Sequence, residues 1–217
     1  MKQKVIQAID QYKIIAILRG IPEDKLIPAV QALYDGGIRL AEITYCADGK
    51  ISDEETARAI RCLTEHFKDR LFVGAGTVLT PEQVVRTAES GGQFIISPDT
   101  NQAVIHTTNA RGLVSIPGAL TPTEIVTAKN YGADYVKLFP ITSLGCDYVK
   151  AITAPLNHIK LLAVGGIDTE NMRAYAKSGV TGFGIGSNIV NKALIENGDY
   201  AALTALARKY TQVLSYD

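Results

Sequence analysis

The sequence has no excess of either charge: Lys plus Arg and Asp plus Glu each number 22. A chain so balanced offers no electrostatic footprint for nucleic acid or for an anionic membrane surface, so its expected partners are small molecules. Cysteine is scarce as well. Cys46, Cys62 and Cys146 are odd in number, widely spaced and without a CxxC pair, which argues against both a disulfide framework and a zinc site and fits a reducing compartment. No stretch approaches the ~20 apolar residues of a membrane span. The first ten residues, an amphipathic pattern broken by charge, lack the continuous apolar core of a signal peptide, and a cytoplasmic location is expected. There is no low-complexity segment, run of like charge or linker-like stretch, so residues 1–217 are expected to form one domain. Histidine is rare too: His66, His106 and His158 fall on predicted helices or at a helix end, with no carboxylate–histidine spacing suited to a metal. No metal or other cofactor is expected.

What the chain does have is alternation. After an N-terminal helical segment, Ile14–Leu18 is a continuous apolar run of the kind found in strands buried on both faces, which implies a parallel sheet. Leu26, Ala29, Val30 and Leu33 follow at helical spacing, and Leu40–Tyr45 reads as the next strand. Further strands are predicted at Leu71–Gly74, Phe94–Ser97, Leu113–Ile116, Tyr135–Phe139, Lys160–Val164 and Gly182–Ile185, each followed by a helix, the last over Asp199–Leu214. Thr80-Pro81-Glu82-Gln83 and Thr121-Pro122-Thr123-Glu124 read as capping boxes with proline at the first helical position. Four helices end in glycine just before a strand, at Gly36-Gly37, Gly91-Gly92, Gly132 and Gly179, where a left-handed cap would turn the chain back. Eight strands and eight following helices without a linker point to a single (β/α)8 TIM barrel with an N-terminal helix; an open doubly wound sheet is the alternative.

In such a barrel the active site lies at the C-terminal ends of the strands. Arg19 follows the first strand, Glu42 and Thr44 lie on the second, Thr77 follows the third, Pro98 ends the fourth, and Lys137 lies late on the sixth. Lys137 is the anomaly. It places an ammonium inside the apolar run Tyr135-Val136-Lys137-Leu138-Phe139, and a charge withdrawn from water there either snorkels outward between helices or shifts towards the neutral, nucleophilic amine. Residues two apart on a strand share a face, so Glu42 goes with Thr44, and Lys137 with Phe139. If both faces line the barrel mouth, a lysine and a carboxylate converge there, a pair able to form a Schiff base with a ketone and to move protons; otherwise Glu42 is a structural carboxylate paired with Arg19. Gly165-Gly166 and Gly186-Ser187 form glycine turns after strands seven and eight, where barrels often hold phosphate on backbone amides.

These motifs, in this order, resemble the 2-keto-3-deoxy-6-phosphogluconate (KDPG) and 4-hydroxy-2-oxoglutarate (KHG) aldolases. The match rests on Ile14–Gly20, Glu42–Thr44, Gly74–Val78, Ile96–Pro98, Ile116–Gly118, Val136–Pro140 and Gly165–Ile167, and spans nearly the whole chain. The resemblance implies a metal-independent class I aldolase cleaving a 2-keto-3-deoxy-6-phospho sugar acid to pyruvate and glyceraldehyde 3-phosphate. It implies Lys137 as the Schiff-base lysine, Glu42 as general acid/base, Thr77 on the pyruvate carboxylate, the glycine turns on the phosphate, and a homotrimer. Arg19, Thr44, Pro98, Phe139, Gly165, Gly166, Gly186 and Ser187 complete the candidate substrate-binding set. Two departures, Cys46 where many members carry arginine and Ala163-Val164 where gluconate-type members tend to have Pro-Thr, make the chain similar to the 6-phosphogalactonate type.

Overall fold

The computed structural model of the chain describes residues 1–214; residues 215–217, the end of the expected domain, lie outside the described residues. Strands β1 (Ile14–Leu18), β2 (Leu40–Thr44), β3 (Phe72–Gly76), β4 (Phe94–Ile96), β5 (Val114–Ile116), β6 (Gly118–Ala119), β7 (Val136–Leu138), β8 (Leu161–Val164) and β9 (Gly182–Ile185) form one sheet in the order β5-β4-β3-β2-β1-β9-β8-β7-β6. Every neighbouring pair is parallel. The helices are α1 (Lys2–Tyr12), α2 (Glu23–Asp35), α3 (Asp53–Phe67), α4 (Pro81–Glu89), α5 (Gln102–Ala110), α6 (Pro122–Asn130), α7 (Gly145–Thr153), α8 (Met172–Lys177), α9 (Lys192–Glu196) and α10 (Tyr200–Val213).

The two ends of this sheet are consecutive in sequence. β5 pairs with β4 and β6 with β7, and only Pro117 separates β5 from β6. Backbone bonds carry across the break: the Ser115 carbonyl accepts from the Asp134 and Tyr135 N–H groups, and the Pro117 carbonyl from that of Lys137. The sheet therefore curls into a nearly closed parallel barrel of the TIM type rather than lying open. The single strand expected at Leu113–Ile116 is thus followed by a second short one, because proline cannot donate to the ladder and the chain changes partners there.

Alternate residues along the strands divide the core in two. Ile14, Ala16, Ala41, Val73, Ala75, Val136, Leu138, Leu161 and Ala163 join the apolar cluster under the helices. Ile15, Leu40, Phe94, Ile96, Val114, Ile116, Tyr135 and Leu162 form a separate interior cluster, to which α1 contributes Val5, Ala8 and Ile9. Helix α1 thus lies across the N-terminal end of the barrel. Polar straps fix it: Tyr135 donates its hydroxyl to the Ile6 carbonyl (3.1 Å) and to Asp10 Oδ1 (2.8 Å), Lys160 pairs with Asp10 (2.6 Å), and Lys2 with Asp134 (2.9 Å). Such half-exposed ion pairs contribute only ~0–1 kcal/mol each, so apolar burial holds the helix and the straps set its orientation.

The helix boundaries follow local chemistry. Thr121 and Glu124 form the expected capping box, and so do Ser52 and Glu55, which the sequence reading passed over. At Thr80 the box is one-sided, since its side chain accepts from Gln83 N–H but the Gln83 side chain turns back to the N–H of Leu79 instead. Gly37, Gly91, Gly132 and Gly179 all have positive φ, between 84° and 103°, as turn-back caps require. α9 is a short helix capped by the Asn191 side chain, and residues 186–190 form a turn between β9 and it.

Candidate active site

At the C-terminal ends of the strands the interior is not filled. A cavity of about 570 Å³ opens there, lined by Arg19, Glu42, Thr77, Pro98, Lys137, Phe139, Gly165, Gly166, Gly186 and Ser187, together with Ile17, Val164, Asn188 and Lys192. Ten of the eleven predicted site residues are thus brought to one place. The exception is Thr44. It is buried at the end of β2, its hydroxyl points at the Leu18 carbonyl (3.4 Å), and it lines a smaller neighbouring cavity of about 270 Å³ among Leu26, Ile43, Ile51 and Ala59. The face shared with Glu42 ends where the strand does, and the carbonyl of β1 claims the hydroxyl.

Glu42 is 2% exposed, and its Oε2 has no hydrogen-bond partner. Its Oε1 occupies space that any side chain on β3 would take: a Cβ on Gly76 would lie 1.5 Å from it. Glycine at 76 is therefore a condition for a carboxylate at this depth. Burial raises the Glu42 pKa, against the pull of Lys137 and then Arg19, so the carboxyl is biased towards holding a proton.

Lys137 is 7% exposed and faces the interior, as does Tyr135 two residues before it in the lower cluster. Burial lowers its pKa; Glu42 opposes the shift and Arg19 adds to it. The amine and the carboxyl are close enough for each to act on the other, yet no ion pair joins them. Each is displaced towards its neutral form, which for lysine is the nucleophile. The Phe139 ring, with its centroid 4.5 Å from Lys137 Nζ, forms one wall beside the amine. Thr77 enters the cavity from a left-handed backbone (φ 56°), a conformation uncommon for a threonine and one that turns the chain sharply off β3.

The opposite wall is backbone. Gly165 and Gly166 are consecutive left-handed residues (φ 100° and 66°), and a Cβ on Gly166 would strike Thr142 Oγ1 at 2.3 Å. The turn is braced from behind, where Thr142 donates to the Gly165 carbonyl (2.7 Å) and Asn171 to that of Gly166 (2.8 Å). No carbonyl among the described residues accepts from the N–H groups of Gly166 or Ser187. Free amides at two adjoining turns make a surface suited to an anion. Among the described residues no cluster of His, Cys, Asp and Glu has the make-up of a metal site. Cys46, one of the two departures read from the sequence, lies outside the cavity and donates its thiol to Asp48; Arg19 lies inside it.

A family model described as "KDPG and KHG aldolase" matches residues 5–206 of this chain. The chain belongs to that family. It is accordingly an aldolase, a carbon–carbon lyase, and the KDPG/KHG pattern covers all of the strands that build its cavity. The chain is 36% identical over 177 residues to the 2-dehydro-3-deoxy-6-phosphogalactonate aldolase of Escherichia coli K12, covering 81% of this chain and 83% of that one. It is 32% identical over 212 residues to the 2-dehydro-3-deoxy-phosphogluconate aldolase of Treponema pallidum, covering 97% of each. The solved KDPG aldolase of Legionella pneumophila, described with pyruvate captured as a covalent carbinolamine intermediate, superimposes with a TM-score of 0.83 at 27% identity, over 93% of this chain and 95% of that one.

Two cavity features escaped the sequence reading. Val164 was noted only as a departure, although alternation from Leu162 turns its side chain towards the interior. Lys192 carried no signal: it lies five residues beyond Ser187, and only the turn at 186–190 returns it to the rim.

Proposed function

We propose that the chain is a class I aldolase that cleaves a 2-keto-3-deoxy-6-phospho sugar acid to pyruvate and glyceraldehyde 3-phosphate through a Schiff base on Lys137. The observation that carries this reading is the buried amine facing a buried carboxyl with an unpartnered oxygen. The neutral Lys137 amine adds to the C2 ketone, and the carbinolamine, taking one proton from solvent at its departing hydroxyl, loses water to leave a protonated imine; that proton is given back when the imine is hydrolysed. Glu42, as carboxylate, takes the C4 hydroxyl proton; the C3–C4 electron pair flows into the imine, and glyceraldehyde 3-phosphate departs. Glu42 returns the proton to C3 of the remaining enamine, and water then hydrolyses the imine to free pyruvate and lysine.

Arg19 and Thr77 hold the carboxylate beside the reacting centre, Pro98 and Phe139 close the apolar walls, and Gly165, Gly166, Gly186 and Ser187 hold the phosphate. Thr44 stands behind the site and acts only through the strand. No cofactor enters the scheme. We favour the galactonate epimer: the cavity has the Val164 side chain where a threonine hydroxyl would discriminate a substrate hydroxyl, and Arg19 supplies the cation that Cys46 cannot. We count β5 and β6 as one strand broken at Pro117, giving an eight-unit barrel over residues 1–217, and expect a cytoplasmic homotrimer. No described helix is long and apolar enough to cross a membrane.

Borohydride treatment in the presence of pyruvate tests the chemistry. The Lys137 peptide should carry the reduced adduct, and an unmodified Lys137 peptide from active enzyme overturns the scheme. A coupled lactate dehydrogenase assay with both epimers side by side tests the substrate, with faster pyruvate release expected from the galactonate form.

A further inference from the structure

The cavity contains three cationic residues, Arg19, Lys137 and Lys192, and one acid, Glu42. The two buried members, Lys137 and Glu42, are each biased towards neutrality. Two fixed positive charges remain, and they differ in what they reach. Arg19 acts electrostatically on both Glu42 and Lys137; Lys192 is not among the groups that shift either one. Lys192 begins α9, after the Gly186-Ser187 turn, and its Nζ lies 3.9 Å from where a Cβ on Gly20 would stand. Gly20 has a left-handed backbone (φ 63°) and leaves that space open. The ammonium therefore sits over the β1–α2 turn on the rim, and it forms no ion pair among the described residues.

The donors that the glycine turns offer to the same cavity are neutral. They are the free amides of Gly166 and Ser187, the Ser187 hydroxyl and the Asn188 side-chain amide, which gives one of its two N–H groups to the Ile167 carbonyl (2.9 Å). Those amides already favour an anion, and an ammonium in the same cavity adds an attraction that grows with each further negative charge. Resting on the aldolase reading above, we propose that Lys192 is the specificity-determining residue for the distal end of the substrate, selecting the phosphorylated keto acid over its unphosphorylated counterpart. The sugar acid then spans two separate cations, its carboxylate at Arg19 beside the reaction and its phosphate under Lys192 at the rim. A lysine solvated at the surface and unrelated to the ligand is the competing account.

The test compares kcat/KM for the phosphorylated and unphosphorylated forms of one 2-keto-3-deoxy acid in wild type, Lys192→Met and Lys192→Arg. In Lys192→Met the ratio of the two values should fall by about 10-fold or more, through KM rather than kcat, and Lys192→Arg should restore most of it. The salt dependence of KM for the phosphorylated substrate should weaken in parallel. An unchanged ratio, or equal losses for both substrates, overturns the assignment. Calorimetric titration with glycerol 3-phosphate measures the same site without chemistry: Kd should rise about 10-fold in Lys192→Met, and an unchanged Kd overturns the proposal. Failure of wild-type enzyme to trap pyruvate with borohydride breaks the Schiff-base scheme instead, and the titration still decides the role of Lys192.

Discussion

On β3, Gly74 and Gly76 stand two residues apart on the inner face of the barrel, and each is glycine because something else occupies its side-chain space. A methyl on Gly74 would meet the Phe94 ring at 2.3 Å; a methyl on Gly76 would meet the Glu42 carboxylate at 1.5 Å. Below, the space goes to an aromatic ring that completes a packed plug with α1. Above, it goes to an acid with an unsatisfied oxygen at the edge of a cavity. One strand thus applies the same device to opposite ends, stability in the lower half and reactivity in the upper. In the upper half, burial works against the ordinary charge states of its two key groups, an arrangement that costs stability and is kept where chemistry needs it.

The largest expected separation of the two halves comes from Lys137→Met. Pyruvate release should fall below detection in the coupled assay, while the melting temperature rises, since a buried amine is replaced by an apolar chain of similar length. The sign with pH is fixed. Because its folded pKa lies below the ordinary 10.5, the folded state binds fewer protons than the unfolded state between those values, and wild-type stability gains with pH across that window. The melting-temperature advantage of Lys137→Met should therefore shrink as pH approaches 10.5; a constant advantage would show that the amine is not desolvated.

Glu42→Gln should lower kcat by about 10²–10⁴-fold yet still yield a borohydride-trapped pyruvate adduct, since attack by the amine precedes proton transfer through the carboxyl. Loss of trapping together with turnover would make Glu42 a structural partner of the lysine rather than a proton carrier.

The two glycines provide the sharpest comparison. Gly76→Ala should damage turnover more than folding, because the carboxylate must move. Gly74→Ala should destabilise the fold by roughly 1–3 kcal/mol through overpacking against Phe94, with kcat of the folded fraction little changed. Chemical denaturation and active-site titration separate the two effects, and identical behaviour of the pair would dissolve the distinction between the halves. The smallest effect belongs to Tyr135→Phe, which removes the hydroxyl donated to Ile6 and Asp10. It should cost about 1 kcal/mol in denaturation and leave turnover nearly intact, although Tyr135 lies only two residues from Lys137.

Much of this organisation is legible in the sequence. Period-two and period-3.6 patterns are imposed by burial, so the strands and helices could be read with small errors at their ends, and Lys137 betrayed itself by interrupting an apolar run. The split at Pro117 was less visible because changing partners across a proline is a property of two neighbouring strands, not of the residue alone. Thr44 was misplaced for a similar reason: alternation assigned its face, but a carbonyl on β1 decided where its hydroxyl went. Lys192 was invisible, as a lysine at the start of a short helix has no local pattern, and only the turn before it brings it to the cavity. The Ser52–Glu55 box has the same local spacing as the box at Thr121 and Glu124, so it is legible in the sequence.

Helix α1 does more than fill the lower end. A barrel stoppered at one mouth is a vessel with a single door, so under the proposed chemistry substrate, both products and the hydrolytic water share one passage. The aldehyde fragment lies outward and pyruvate stays tethered within, which imposes a queue in which glyceraldehyde 3-phosphate leaves first and pyruvate last. The order of release is then set by a helix on the far side of the molecule from the reacting carbon.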